Sequence, residues 1–476
     1  YTLHTLFPYT TLFRSASNFA YQAVYCYLNQ LIGEVNSGST TKLPSLRDLA
    51  KRLKVSISTV QYAYCLLEKE GRIRSVPKSG YFALPCLMPC PNGQHGEDLL
   101  EKLYANARRP GMFVLSDDEP TMLSSLENPL LMLERELIRH YPRQLNLQFQ
   151  PFGVLELRTA LAARYTSCAQ HCWHPDNVYV GADLRGVLKI VLDALGLRGG
   201  TVLVESPCSW TILRLLQSFD IRVIEMPLDN SGCVDLPWFD QTMLQEDIGL
   251  AVLPSVPCST QGSLMQLENR QQLARRLNLN GIWVLENDSL GELCFEPPVG
   301  RLRDWINPER LLVFSAFDKI IGPEAPYGYL LCKHFSAELQ RHFLVRSFCL
   351  PPIRQKAIAR LYSSGRIDQH ITGLRRLLED RMLTLASLLH ERAGASLRFN
   401  LPGGGAAIWA ECVRPVNMRR VFDRLLKRRI FIAPGEIFSL QGLHQQNLRI
   451  SFAFDWNQDI GTALNTLDDL LRQERL

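Results

Sequence analysis

Between Leu43 and Leu84 the spacing of apolar positions changes from helical to alternating, which predicts two short helices followed by a hairpin. Leu46, Leu49, Ala50 and Leu53 recur at three- and four-residue steps, the stripe of a first helix. Ser45 stands before it as a cap, with Asp48 three residues on in a capping-box arrangement. Lys54-Val55 reads as a turn and Ser56 as the next cap. The second helix then buries Val60, Ala63, Tyr64 and Leu67 and stops at Gly71. Arg72 to Val76 alternates as a strand, Pro77-Lys78-Ser79-Gly80 turns, and Tyr81-Phe82 begins the return strand. Upstream, Tyr21, Val24, Tyr25, Leu28, Leu31 and Ile32 predict an amphipathic helix that completes this head.

From about Met112 the pattern changes again. Continuous apolar runs at Val202-Val204, Val223-Met226, Leu250-Pro254, Ile282-Leu285, Leu311-Phe314 and Tyr329-Leu331 alternate with amphipathic helices. Strands buried on both faces read in this unbroken way, so an α/β fold with a mostly parallel sheet is expected. Ligand sites in such sheets gather at the carboxyl ends of the strands. Between head and body, Pro85 to Gly111 breaks periodicity and reads as a linker holding one short helix, Glu97 to Arg108.

Charge gives the head a partner. Lys42 to Gly80 holds nine basic residues and three acidic ones, a net +6, whereas the whole 476-residue chain carries +5. A basic module on a near-neutral remainder suits double-stranded DNA, because phosphate neutralisation releases counterions. Ser58, Thr59 and Gln61 fall on the outer side of the second helix near its N-terminus, where a recognition helix meets the major groove.

Composition removes other classes. No run of about 18 apolar residues occurs, so no membrane-spanning helix is expected. Thirteen cysteines lie scattered in apolar runs, among them Cys65, Cys294, Cys332, Cys349 and Cys412, a usage that fits reduced thiols in a cytoplasm. Cys168, His171, Cys172 and His174 are soft ligands within seven residues, but no second, distant ligand pair accompanies them, so no metal site is expected. Thr5 to Ser15, TLFPYTTLFRS, can be encoded by a common sequencing adapter; residues 1–15 are therefore set apart as artefactual.

The run LPSLRDLA…VSISTVQYAY…GYF resembles the winged-helix head of GntR-type bacterial regulators. That resemblance implies that Arg47, Ser58, Thr59, Lys78 and Gly80 approach DNA; with Ser56 and Gln61 they form the expected DNA-binding set. Many relatives carry arginine where this chain has Ile57. The body resembles a fold-type I aminotransferase, the large pyridoxal-phosphate class. The motifs that carry the likeness are Gly199-Gly200, Glu205-Ser206-Pro207, the run Glu286 to Leu293, Phe317-Asp318-Lys319, Gly404-Gly405…Trp409, Pro434-Gly435…Phe438 and Leu448-Arg449-Ile450-Ser451. Together they resemble the MocR subfamily over residues 17–474. The implied layout is a winged helix-turn-helix at 16–85, a linker at 86–111, a large domain at 112–350 and a smaller C-terminal α+β subdomain at 351–476.

By this resemblance Lys319 is the Schiff-base lysine for pyridoxal 5'-phosphate, Arg449 grips a carboxylate, and Asn287 and Trp210 line the cofactor. Several positions depart from the family. Asn287 stands where an aspartate faces the pyridine nitrogen, Leu290 replaces a tyrosine, and Ser259-Thr260-Gln261-Gly262 replaces an asparagine-proline motif. Asp318 replaces a serine, Pro326 an arginine, Gly181-Ala182-Asp183 a phosphate-donating turn, and Ser209 a stacking aromatic, with Trp210 one residue later. An amide cannot hold the pyridine nitrogen protonated as a carboxylate does. The expected function is a cytoplasmic, bacterial, DNA-binding transcriptional regulator, a homodimer whose catalytically eroded body senses an amino acid or vitamin B6 compound. The alternatives are a working aminotransferase with a DNA-binding head, and a scaffold that holds no cofactor.

Overall fold

A computed structural model describes residues 24–25, 27–28, 42–69, 73–76, 79–83, 99–107, 111–116, 119–140, 150–168, 171–229, 231–346 and 350–475. The chain divides into two compact units, Tyr1–Met112 and Phe113–Leu476. The divisions expected at 85/86 and 350/351 fall inside these units.

In the first unit, α1 (Leu46–Leu53) starts at Ser45, whose Oγ accepts from the Asp48 amide at 3.2 Å and donates to the Asp48 carboxylate at 2.6 Å. Lys54 adopts a left-handed φ of 54° and ends the helix. Next, α2 (Ile57–Lys69) is held at its start by the Thr59 amide donating to Ser56 Oγ at 3.1 Å. The wing pairs β1 (Ile73–Val76) antiparallel with β2 (Gly80–Ala83), Val76 opposite Gly80. Gly80 enters the return strand at φ 101°, a conformation in which any side chain would be strained. Leu49, Val60, Ala63, Tyr64, Leu67 and Ile73 pack one core with Val24 and Leu28. The rest of the expected first helix, Gly71 and Lys78 lie outside the described residues. Leu99–Ala107 forms α3, within the stretch read as a linker.

The second unit opens with β3 (Phe113–Val114), α4 (Glu127–His140) and α5 (Leu155–Tyr165). Strand and helix then alternate through β4 (Val178–Gly181), α6 (Leu184–Ala194), β5 (Thr201–Ser206), α7 (Trp210–Ser218), β6 (Arg222–Pro227), α8 (Leu236–Gln245), β7 (Leu250–Pro254), α9 (Leu267–Leu279) and β8 (Trp283–Asn287). Two further strands, β9 (Leu311–Ala316) and β10 (Gly328–Cys332), complete a seven-stranded sheet in the order β4-β10-β9-β8-β7-β5-β6. Only β10 runs antiparallel to its neighbours. Alternate residues serve opposite layers. Leu203, Ala251, Val284 and Val313 join one core, while Val202, Val252, Leu285 and Leu312 join the other. Burial on both faces is why these strands read as unbroken apolar runs.

Three helices follow, α10 (Ser336–Arg346), α11 (Pro352–Ser363) and the long α12 (Arg366–Ala393). The C-terminal part comprises β11 (Leu397–Phe399), β12 (Ala407–Cys412), α13 (Met418–Lys427), β13 (Ile430–Phe431), β14 (Ala433–Pro434), β15 (Asn447–Ser451) and α14 (Ile460–Gln473). Its four-stranded sheet runs β11-β12-β15-β14, and β13 pairs with β3.

Candidate functional site

The head presents a polar face built by its caps. Ser56 Oγ lies 2.8 Å from Ser58 Oγ and 2.7 Å from Thr59 Oγ1, so three hydroxyls cluster at the start of α2. Ser56, Ser58 and Gln61 are exposed, Thr59 is half-buried, and Arg47 is exposed on α1. Two apolar side chains share that surface: Ile57 is 47 % exposed and Tyr62 53 %. The helical stripe leaves both outside the core, and that spacing is the signal in the sequence that marks them as surface residues. Buried Tyr64 donates to the Pro44 carbonyl at 2.8 Å and fastens α2 to the segment before α1.

In the body the expected residues lie at the carboxyl end of the large sheet and beside it. Asn287 closes β8, and its Oδ1 accepts from the Ser289 amide at 3.1 Å and from Ser289 Oγ at 2.7 Å. Lys319 lies in the turn after β9, and its Nζ forms an ion pair with Glu119 at 2.8 Å. Asp318 Oδ1 accepts from the Lys319 amide at 3.0 Å. Asp183 caps α6 by accepting from the Gly186 amide at 2.6 Å. Because Gly181, Gly328 and Ala316 stand opposite one another across β4, β10 and β9, the loops holding Asp183 and Asp318 leave the sheet about 10 Å apart. Trp210 opens α7 and is half-buried.

Arg449 is buried in β15 between Trp409 and Ala433, its guanidinium 5.7 Å from the centre of the Phe438 ring. The Cys208 amide donates to the Phe438 carbonyl at 3.0 Å, which ties this segment to the end of β5. Glu119, 200 residues from its lysine partner, was not among the sequence candidates; a contact that distant has no local period to betray it.

A second group of charges lies on the other side of β8. Glu286 and Asp288 alternate with Asn287 and meet Arg303, while Asp288 also meets Arg301 at 2.9 Å and the Tyr165 hydroxyl at 2.7 Å. Burial pushes the Asp288 carboxyl up, but Arg303 and Arg301 outweigh it and hold the group down at about 2. For Glu286, burial and then the neighbouring Asp288 charge outweigh Arg303, Ser255 and Arg301 and leave the carboxyl above its ordinary range. Arg164, Tyr165, Trp173, Arg301, Arg303 and Lys333 line a cavity of about 350 Å³ beside this network, which none of Lys319, Asn287, Trp210 or Arg449 lines. Elsewhere at the strand ends, burial raises the Glu205 carboxyl to about 7, although Ser259 Oγ donates to it at 3.0 Å. Cys168, His171, Cys172 and His174 occupy the loop after α5, where His174 Nδ1 accepts from the Asp176 amide.

Comparison with known proteins separates the two units. Residues 20–82 match the family described as bacterial regulatory proteins, gntR family. The chain is 26 % identical over 452 residues to the uncharacterized HTH-type transcriptional regulator YdcR of Escherichia coli (strain K12), covering 91 % of this chain and 95 % of that protein. Among solved structures, it is similar to the multiple substrate aminotransferase of Thermococcus profundus, with a TM-score of 0.70 and 17 % identity over 81 % of this chain and 96 % of the other. It is also similar to LysN, the alpha-aminoadipate aminotransferase of Thermus thermophilus, with a TM-score of 0.69 and 19 % identity over 79 % and 94 %. A GntR-type helix-turn-helix head on an aminotransferase-fold body gives this chain a MocR-like architecture.

Proposed function

We propose that the chain is a DNA-binding transcriptional regulator whose aminotransferase-like body senses a small molecule without performing amino transfer. One observation carries the reading: a basic head whose capped α2 leaves Ser58 and Gln61 exposed, as is Arg47 on α1, with the apolar stripe of α2 turned inward. Hydroxyls and amides at that position read base edges, and Arg47 and Lys78 neutralise phosphates. Exposed Ile57 supplies an apolar contact of the kind thymine methyl groups accept.

The direct test is fluorescence anisotropy with a duplex from the protein's own promoter region, titrated over salt. Wild type is expected to bind selectively with a steep salt dependence. Arg47→Gln with Lys78→Gln should lower the slope by about 2, whereas Gln61→Ala should relax base selectivity by about 1–3 kcal/mol. Binding that ignores salt, or its absence, refutes the proposal.

The strand-end residues support the eroded reading of the body. A helix N-terminus is the natural seat for a cofactor phosphate, yet at α6 the chain's own Asp183 carboxylate takes a backbone donor there. Asp318 adds a second anion after β9, and Lys319 is engaged by Glu119. At Asn287 an amide stands where a pyridinium needs a carboxylate. This donor set does not fit a phosphate-bearing aldehyde. Lys319 after β9 and buried Arg449 are what favour the competing reading, a working aminotransferase. Purified protein mixed with pyridoxal phosphate, then reduced with borohydride, is expected to show no cofactor absorption band and no mass increase at Lys319. A band that disappears in Lys319→Ala would overturn the eroded reading and leave the DNA-binding head untouched.

A further inference from the structure

We propose that the outer face of α13, in the C-terminal part of the body, is a second duplex-DNA contact that grips phosphates outside the stretch read by the head. The inference rests on the regulator reading above. Arg414 to Arg429 holds seven basic residues and one acid, Asp423, so these sixteen residues carry +6. That equals the charge of Lys42 to Gly80 in the head and leaves the rest of the chain at −7. A cation cluster on a body that is otherwise acidic stands out from the scatter of an ordinary solvated surface.

The fold displays this charge outward. Met418, Val421, Phe422 and Leu425 are buried, so α13 is anchored by one stripe. On the opposite side Arg420, Asp423, Arg424 and Lys427 follow one another at three- and four-residue steps, and Arg420 and Lys427 lie about 10 Å apart along the axis. Two cations of the segment serve the fold: Arg419 pairs with Glu436, and Arg424 with Glu474 at 2.7 Å. Arg414, Arg420, Lys427, Arg428 and Arg429 are all exposed, and no ion pair is recorded for any of them among the described residues.

Helix stability does not account for the arrangement. Lys427 and Arg428 at the C-terminal end do favour the macrodipole. Arg419 and Arg420, however, sit in the first turn, where a cation opposes it and where no acid is present. Unpaired guanidinium and ammonium groups spread over a convex helix suit a regular polyanion that needs no pocket. In a chain that already holds a DNA-reading head, the duplex flanking the operator is the polyanion at hand.

The test uses the full-length triple variant Arg420→Gln, Lys427→Gln, Arg428→Gln on a long promoter-region duplex. If each side chain neutralises one phosphate, the salt slope should fall by about 2–3 and affinity near 0.15 M salt by roughly tenfold to a hundredfold. A control triple, Arg222→Gln, Arg341→Gln, Arg398→Gln, removes the same charge at exposed sites already paired with Glu246, Glu338 and Glu411, and should leave the slope in place. Melting curves matching wild type exclude misfolding of either variant. An unchanged slope in the α13 variant, or an equal fall in the control, overturns this proposal. Wild-type protein that binds no duplex would sink the regulator reading itself, so the two failures are distinguishable.

Discussion

Asp288→Ala is expected to destabilise the body by about 3–5 kcal/mol, because it leaves the half-buried Arg301 and Arg303 with too few counter-charges. Asp288 is 2 % exposed, and the two guanidiniums and the Tyr165 hydroxyl all converge on it. The loss should appear as a lower midpoint in urea, with the slope of the transition unchanged. Asp288→Asn should cost less, since the amide keeps an acceptor for one guanidinium while surrendering the charge. The pH dependence has a defined sign. The Asp288 carboxyl is held at about 2 in the fold, against about 3.9 when unfolded, so its contribution is complete above the unfolded value and disappears as pH falls towards 2. Glu286 is shifted the opposite way, so its own ionisation weighs against the fold as pH rises through its raised value. Glu286→Gln should therefore be far milder than Asp288→Ala, and comparable losses in the two would contradict this division of labour.

Those residues also show where the sequence ceases to inform. The run Glu286 to Leu293 was legible as a cofactor motif, and that resemblance directed attention to Asn287, which closes β8. Strand alternation puts Glu286 and Asp288 on the face opposite Asn287, a consequence of period two that needs no alignment. Their partners are another matter, since Tyr165 lies 123 residues from Asp288 and arrives through the packing of α5 against the sheet. The helices of the head were readable because their caps, stripes and turns all lie within a few residues, as Ser45, Lys54 and Ser56 illustrate. The sheet strands were readable for a different reason: layers on both faces force every residue of Leu312 to Phe314 inside. Glu119 against Lys319, or Asp183 folded back onto α6, belongs to neither kind. A side chain's choice between a ligand, a backbone amide and a distant counter-ion depends on what the chain packs beside it, and neither composition nor period records that choice.

Leu67→Ala should abolish selective DNA binding while leaving the body folded, the largest functional loss expected of any single apolar truncation. Leu67 is fully buried among Val60, Ala63, Tyr64 and Ile73. Emptying such a site typically costs 2–5 kcal/mol, more for a rigid wall than for one that can collapse. A core as small as this one rarely supplies more than about 3–5 kcal/mol in all, so the truncation consumes most or all of the stability of the head. Among the described residues, the cores on the two faces of the large sheet share no residue with that of the head. Trypsin should then cut Lys51, Arg52 and Lys54 readily in the variant, while the fragment from Phe113 onward resists as in wild type. Leu244→Ala supplies the contrast: that leucine is 89 % exposed on α8, and its truncation should stay within about 0.5 kcal/mol of wild type. Retained affinity in Leu67→Ala would mean that the recognition helix keeps its shape without its own core. In that case α2 would owe its place to something other than the apolar stripe from which the head was first read.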